Sequence, residues 1–490
     1  MNRRQFLQNL ALSAAAIGSG ASLPWSVRAA TTSSPLNLTV TSRTIEVNGR
    51  AAKVFGLVGP DGKPGLTLDA GTQFDVQLTN RAGESTLIHW HGLTPPWNMD
   101  GVPDNPAALL QPGEERHYNF PVGAGGTHWM HAHTLQEQNL LAAPLIVRTA
   151  EERNSDTQEV VVLLHDFSFR TPEELLAELK GAGGHGMSMG MNHGNMMHDM
   201  SGKMGGHGMA MPGMNMPGMA GMPTMDLNDI EYDAYLANDR ALDDPETFTV
   251  EKGGRVRLRI INGATATAFT IDTGALKGSL VAVDGIPVQP LAVQRVPVSM
   301  GQRVDILLEI PGEGGAFPVF ALREGSPHRA GIVLATAGAS IRKFATEGTE
   351  PGPVLDLELE QRLRALKPLT AAEPTKTFEM VLSGNMSGYT WQIEGGEHLD
   401  VRTGDRIRFV IRNMSMMAHP MHLHGHHFQI AGLNRRNFAG AVRDTVLLPP
   451  MAEAVIEFDA SNPGRWPFHC HHLYHMASGM MSFVSYDKAG

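Results

Sequence analysis

Gly404-Asp405-Arg406-Ile407-Arg408-Phe409-Val410-Ile411-Arg412-Asn413 largely alternates apolar and polar residues between a glycine and an asparagine. A period of two is the signature of a strand with one face buried. The pattern occurs twice more, in Gly71-Thr72-Gln73-Phe74-Asp75-Val76-Gln77-Leu78-Thr79-Asn80 and in Gly253-Gly254-Arg255-Val256-Arg257-Leu258-Arg259-Ile260-Ile261-Asn262. Three copies spread through 490 residues imply a repeated β unit. Other short Val/Ile/Leu runs are separated by Gly, Pro and Asn turns, and few amphipathic helical patterns occur. The expected fold is all-β, with three β-sandwich domains of Greek-key type.

Counting from each asparagine sorts the repeats. Nine and eleven residues after Asn80 stand His89 and His91, and the same offsets from Asn413 give His422 and His424. From Asn262 they give Ile271 and Thr273. A second count starts at glycine. Five residues after Gly126 begins His131-Ala132-His133, and five after Gly464 begins His469-Cys470-His471. Gly315 leads to Phe320-Ala321-Leu322. Repeats one and three therefore carry His-x-His segments in register, and repeat two carries none, which marks it as a spacer.

In a strand, residues i and i+2 share a face. Each His-x-His can present two imidazoles to a common metal cluster, while Cys470 points to the opposite face. Around Cys470, His475 and Met480 follow at fixed offsets, and His419 precedes His422. Thiolate, two imidazoles and a weak thioether form the trigonal donor set of blue-copper electron-transfer sites. Cys470 is also the single cysteine, so an intramolecular disulfide is impossible.

The motifs His89-Trp90-His91-Gly92, Trp129-Met130-His131-Ala132-His133, His419-Pro420-Met421-His422-Leu423-His424-Gly425 and His469-Cys470-His471 with His475 and Met480 resemble those of the multicopper oxidases. That family includes laccases, ascorbate oxidase and bacterial copper-tolerance oxidases. The resemblance implies three cupredoxin-like domains and four copper ions: one type 1, one type 2 and two type 3. It implies His419, Cys470, His475 and Met480 at type 1 copper, and His89 and His422 at type 2. One type 3 ion would take His91, His131 and His471; the other would take His133, His424 and His469. It further implies one-electron oxidation of Cu(I), or of a small organic reductant such as a phenol, coupled to four-electron reduction of O₂. Cys470 would carry electrons to the cluster. Asp100, eleven residues after His89, falls where the family commonly has a carboxylate and is assigned a proton-relay role; the alternative is an Asp in a surface turn before Gly101. In copper-oxidising relatives a methionine two residues before the first type 1 histidine helps bind the ion. That position is Met417 here, but the acids those relatives place nearby are replaced by Ser415 and Met476.

The N-terminus opens Asn2-Arg3-Arg4-Gln5-Phe6-Leu7, followed by an Ala-rich apolar run and small residues at Ala29-Ala30. This reads as a twin-arginine signal over residues 1–30, with an ordinary secretory leader as the alternative, and places the protein in the periplasm. Removing Arg3, Arg4 and Arg28 takes the formal charge from −11 to −14, which argues against nucleic-acid partners. No membrane span and a monomer are expected. The domains are expected at 31–150, 151–345 and 373–490, with a linker at 346–372 that includes a short helix from Leu355 to Leu366. Residues 183–225 hold fourteen of the 28 methionines, interleaved with His185, His193, His198 and His207. Such a segment cannot build a packed core; as an insertion in domain two, its soft thioethers suit capture of additional Cu(I). A non-catalytic periplasmic copper-binding protein and a two-domain nitrite reductase are competing classes. The complete ligand set opposes the first, and three repeats oppose the second.

Overall fold

The three repeat strands occupy equivalent places in three sheets. A computed structural model describes residues 34–182 and 227–487, so the leader and the methionine-rich segment lie outside the described residues. Gln73–Asn80 runs between Leu36–Val47, which is parallel to it, and antiparallel Glu115–Pro121. Arg255–Asn262 lies likewise between Gln158–Phe167 and Arg303–Glu309, and Arg406–Asn413 between Lys376–Asn385 and Glu453–Asp459. Each sheet has a companion, giving six sheets in three pairs among the described residues. The fold is all-β, as the alternating runs anticipate.

Alternation explains the cores. Phe74, Val76 and Leu78 are buried on one face of their strand and share a core with Trp90, Met130 and Leu145 of the companion sheet. Ile407, Phe409 and Ile411 do the same in the third repeat.

The terminal asparagine of each repeat is fully buried because it ties down the following loop. The Asn80 amide donates to the carbonyls of Glu84 (2.7 Å) and Leu110 (2.9 Å), and its oxygen accepts from Ala82 N. Asn262 bonds Thr267, Val298 and Ala264 in the same way, and Asn413 bonds Met417, Leu448 and Ser415. An amide offers donors and an acceptor together, so one side chain satisfies three main-chain groups in a turn that makes no ladder bonds. The loops so fixed enter the strands Ile88–His91, Phe269–Asp272 and His419–Leu423.

Strand pairing sets the register of the histidines. His89 lies opposite His131, and His422 opposite His469. In the second repeat Ile271 lies opposite Ala321, not Phe320. The count from Gly315 therefore runs one residue short, and the true equivalents of His131 and His133 are Ala321 and Arg323.

Segment 346–372 is not a free tether. Glu347, Gly352 and Ala365 form bridges to His328, Glu324 and Val288, and Leu355, Leu357 and Leu363 are buried. Its helix spans only Glu358–Arg362, because Leu363 is already extended at ψ 140° and feeds Ala365 into pairing. From Leu36 onward the described residues pack as one compact unit. None of their helices is long and apolar enough to cross a membrane.

Candidate metal centre

Histidines on and just after two short strands of the first repeat and two of the third converge. His89, His91 and His422 bring one ring nitrogen each within 4.8 Å of one another, as do His91, His131 and His471, and His133, His424 and His469. All eight rings are buried. His91 stacks on His422 at 3.8 Å and 13° between planes, and Trp129 stacks on His131 at 4.1 Å. The Nε2 atom of His469 is 2.9 Å from that of His424 and 3.3 Å from that of His133.

On the other side of the Arg465–Cys470 strand, Cys470 faces a second group. Its Sγ is 3.6 Å from His419 Nδ1 and 3.8 Å from His475 Nδ1, and these two nitrogens are 3.1 Å apart. Met480 is fully buried and sits beside Cys470 along the backbone, where its carbonyl accepts from Cys470 N at 3.1 Å. The alternation anticipated for His469-Cys470-His471 therefore holds: the histidines face the larger cluster, the thiol the smaller.

The nitrogens that point inward fit a metal. His89 Nε2, His91 Nδ1, His131 Nε2, His422 Nε2 and both nitrogens of His471 are buried without a hydrogen-bond partner. So many orphaned acceptors in a dry site would be costly unless cations filled it. Burial, reinforced by the neighbouring rings, pushes His91, His131, His133, His422, His424 and His471 well below their usual pKa and keeps them neutral, the state a metal ligand needs. Burial alone would drive the Cys470 thiol far above its usual range, and a bound cation is the charge that would reverse this.

Three family models, each described as multicopper oxidase, match residues 39–152, 159–340 and 364–489. The chain is 32% identical to the multicopper oxidase MmcO of Mycobacterium tuberculosis over 86% of its length and 81% of that protein's. The chain belongs to the multicopper oxidases. It is also 27% identical to copper resistance protein A of Escherichia coli over 99% of each chain. Its fold matches that of a laccase from Botrytis aclada with a TM-score of 0.73, at 20% identity over 92% of this chain and 87% of the laccase. It is thus an oxidoreductase that uses copper.

The outward-facing nitrogens of this oxidase find carboxylates that sequence reading mostly missed. Asp100, anticipated near the cluster, is fully buried; its Oδ2 accepts from His424 Nδ1 at 2.8 Å, and its carbonyl accepts from His89 Nδ1 at 3.1 Å. The alternative of an exposed turn is excluded. Glu137 lies 3.1 Å from His131 Nδ1, and burial raises its pKa well above normal. Asp444 lies 3.2 Å from His91 Nε2, and its carbonyl accepts from His422 Nδ1 at 2.8 Å. Asp229 lies 3.1 Å from His475 Nε2 and also bonds Tyr389. No local motif flags these three; each is brought in by a different loop. Tyr389 and Trp391 pack on the same histidine, Trp391 at 4.1 Å between centroids.

Among the histidines beside these motifs, His128, His426 and His472 are buried and His427 is half-buried. His426 bonds Tyr486 at 2.6 Å, His427 bonds the Gly92 carbonyl, and His472 stacks on His475 at 3.7 Å with 7° between planes. His128 is buried with both nitrogens unpartnered. Met417 is buried, whereas Met414 and Met416, close by in sequence, are exposed at 55% and 37%.

Proposed function

We propose that this multicopper oxidase oxidises Cu(I) in the periplasm and holds four coppers, with His419, Cys470, His475 and Met480 at the electron-entry site. His89 and His422 would hold a second copper. His91, His131 and His471 would hold a third, and His133, His424 and His469 a fourth. The observation that carries the reading is the two-sided Arg465–Cys470 strand, whose cysteine and flanking histidines serve different donor sets. Copper bound there supplies one-electron acceptance at the thiolate end and four-electron reduction of O₂ to water at the histidine end.

The chain does the rest. Cys470 joins the two donor sets through its own backbone. Asp100, fully buried with Oδ2 against His424 Nδ1 and its carbonyl against His89 Nδ1, is placed to relay protons to the oxygen side. Glu137 and Asp444 orient His131 and His91 from outside, fixing which nitrogen faces inward.

The Cu(I) preference rests on what covers His475. Its Nε2 meets Asp229, one face stacks on His472, and Trp391 and Tyr389 pack beside it. A single cation met by a carboxylate suits that edge better than a bulky phenol. Asp229 puts an acid at that edge, its side chain buried against His475, His472 and Tyr389. The name of the copper resistance relative points the same way. Soft-ion capture by residues 183–225 and export by the twin-arginine route extend the proposal to residues outside those described. Oxidation of phenols, as in laccases, is the second reading, favoured by the fold likeness to one.

The test is oxygen uptake by copper-loaded protein with Cu(I) and with a phenol as reductants. Faster turnover on Cu(I) supports the proposal, and turnover on the phenol alone overturns its substrate. Deleting 183–225 should lower Cu(I) turnover and spare or raise that of the phenol.

A further inference from the structure

Among its described residues the second repeat supplies no histidine to the cluster, yet one turn of it, residues 299–303, reaches it. Arg303 is fully buried and uses all five of its N–H donors. Nε donates to the Thr127 carbonyl at 3.1 Å, in the strand that carries His131. One terminal nitrogen donates to the Gly301 carbonyl (3.0 Å) and Asp444 Oδ1 (2.7 Å). The other donates to the Asp284 carbonyl (3.0 Å) and Asp444 Oδ2 (2.6 Å). One side chain thus ties together a strand of the first repeat, a turn of its own and a carboxylate of the third.

Asp444 decides two tautomers, one with its carboxylate and one with its main-chain carbonyl. Asp444 receives the proton of His91 Nε2 on its side chain and that of His422 Nδ1 on its carbonyl. The lone pairs of His91 Nδ1 and His422 Nε2 are then left facing inward, and both atoms are without partners. The bidentate fork from Arg303 fixes the plane of the carboxylate. Two residues earlier, Gly301 has φ +79°, and a Cβ built there would lie 2.7 Å from the His471 ring. Close approach of this turn to the cluster is built into the chain.

We propose that Arg303 is a positioning residue for the oxygen-reducing cluster, acting through the Asp444 carboxylate on His91, and that the second repeat contributes it. The inference rests on the copper assignment above. It requires the planar fork: lysine, with three donors on one atom, cannot reproduce five directed bonds.

The experiment compares wild type, Arg303→Lys, Arg303→Met, Asp444→Asn and the Arg303→Met/Asp444→Asn double variant, all copper-loaded. The readouts are the blue absorption of the Cys470 site, the electron paramagnetic signal of non-blue copper, copper per chain, and kcat. The blue band should persist in every variant, reporting the fold. The non-blue signal should weaken or change its hyperfine splitting in each, and kcat should fall by roughly 10- to 100-fold. Lysine should not rescue, and the double variant should be no worse than Asp444→Asn. An unaltered non-blue signal in Arg303→Lys, or a double variant whose loss is the product of the singles, would overturn the proposal. If Arg303→Met does not fold, Asp444→Asn and Arg303→Lys still decide it. A wild type lacking any non-blue signal would instead defeat the copper assignment.

Discussion

Asp100 and His424 stand 324 residues apart, yet Nδ1 of the histidine donates to Oδ2 of the aspartate at 2.8 Å with neither side chain exposed. The first and third repeats are locked together at the edge of the histidine cluster. Gly101 shows how tightly: its φ is +87°, and a Cβ there would sit 1.8 Å from the Ile88 carbonyl, next to His89.

Asp100→Asn should lower steady-state oxygen reduction by about 10²- to 10⁴-fold, the usual range for loss of a placed acid or base. Reduction of the blue band by Cu(I) without oxygen should stay within about twofold of wild type. Stopped-flow absorbance separates the two steps. Equal slowing of both would remove the proton-relay role.

Asp229→Ala should raise the KM for Cu(I) by roughly tenfold, through loss of one carboxylate that lies beside His475. Phenol turnover should be unchanged or faster. A matching loss with both reductants would make Asp229 a structural support of His475, not a substrate contact.

Copper-free protein should lose stability as pH falls. Burial pushes His469 and His472 down to about 3 and His426 to about 4. The unfolded chain takes up protons near pH 6.5 and the folded chain does not, so the contribution is complete above about 6.5. It is lost progressively below that, toward pH 3, at up to about 1.4 kcal/mol per pH unit per histidine. Thermal melts of chelator-treated protein at about pH 7.5 and pH 5 should show a clear drop. Identical melting temperatures would contradict the neutral buried state.

Asn413→Ala should destabilise the third repeat by about 1–3 kcal/mol, since Ser415 N and two carbonyls lose their partner. The loop that enters His419 would loosen as well. A denaturant midpoint and the intensity of the blue band should fall together; a shift in one without the other would separate loop order from copper binding.

The strands and the eight histidines of the His-x-His segments were legible in the sequence because both obey short-range rules. Alternation marks a half-buried strand, and the i, i+2 relation places two rings on one face whatever lies around them. Asp100 was legible only through its fixed distance from His89. Asp229, Asp444 and Glu137 were not, because their role depends on which loop the packing brings against a histidine; Asp229 is 246 residues from His475. Arg303 was hidden for a related reason. It begins a strand in the repeat judged a spacer, and its value comes from contacts to the other two repeats. The count from Gly315 slipped by one because a glycine before a strand does not fix register; the cross-strand partner does.

Oxygen consumption driven by Cu(I) tests the central claim most directly, with the blue band followed in the same cuvette and Cys470→Ser run beside wild type. The wild-type band should bleach on adding Cu(I) and return with oxygen, four Cu(I) being oxidised per O₂ without accumulation of hydrogen peroxide. Cys470→Ser should lose both the band and the uptake. Copper bound by wild type without oxygen uptake, or uptake undiminished in Cys470→Ser, would contradict the assignment of Cys470 as the junction between electron entry and oxygen reduction.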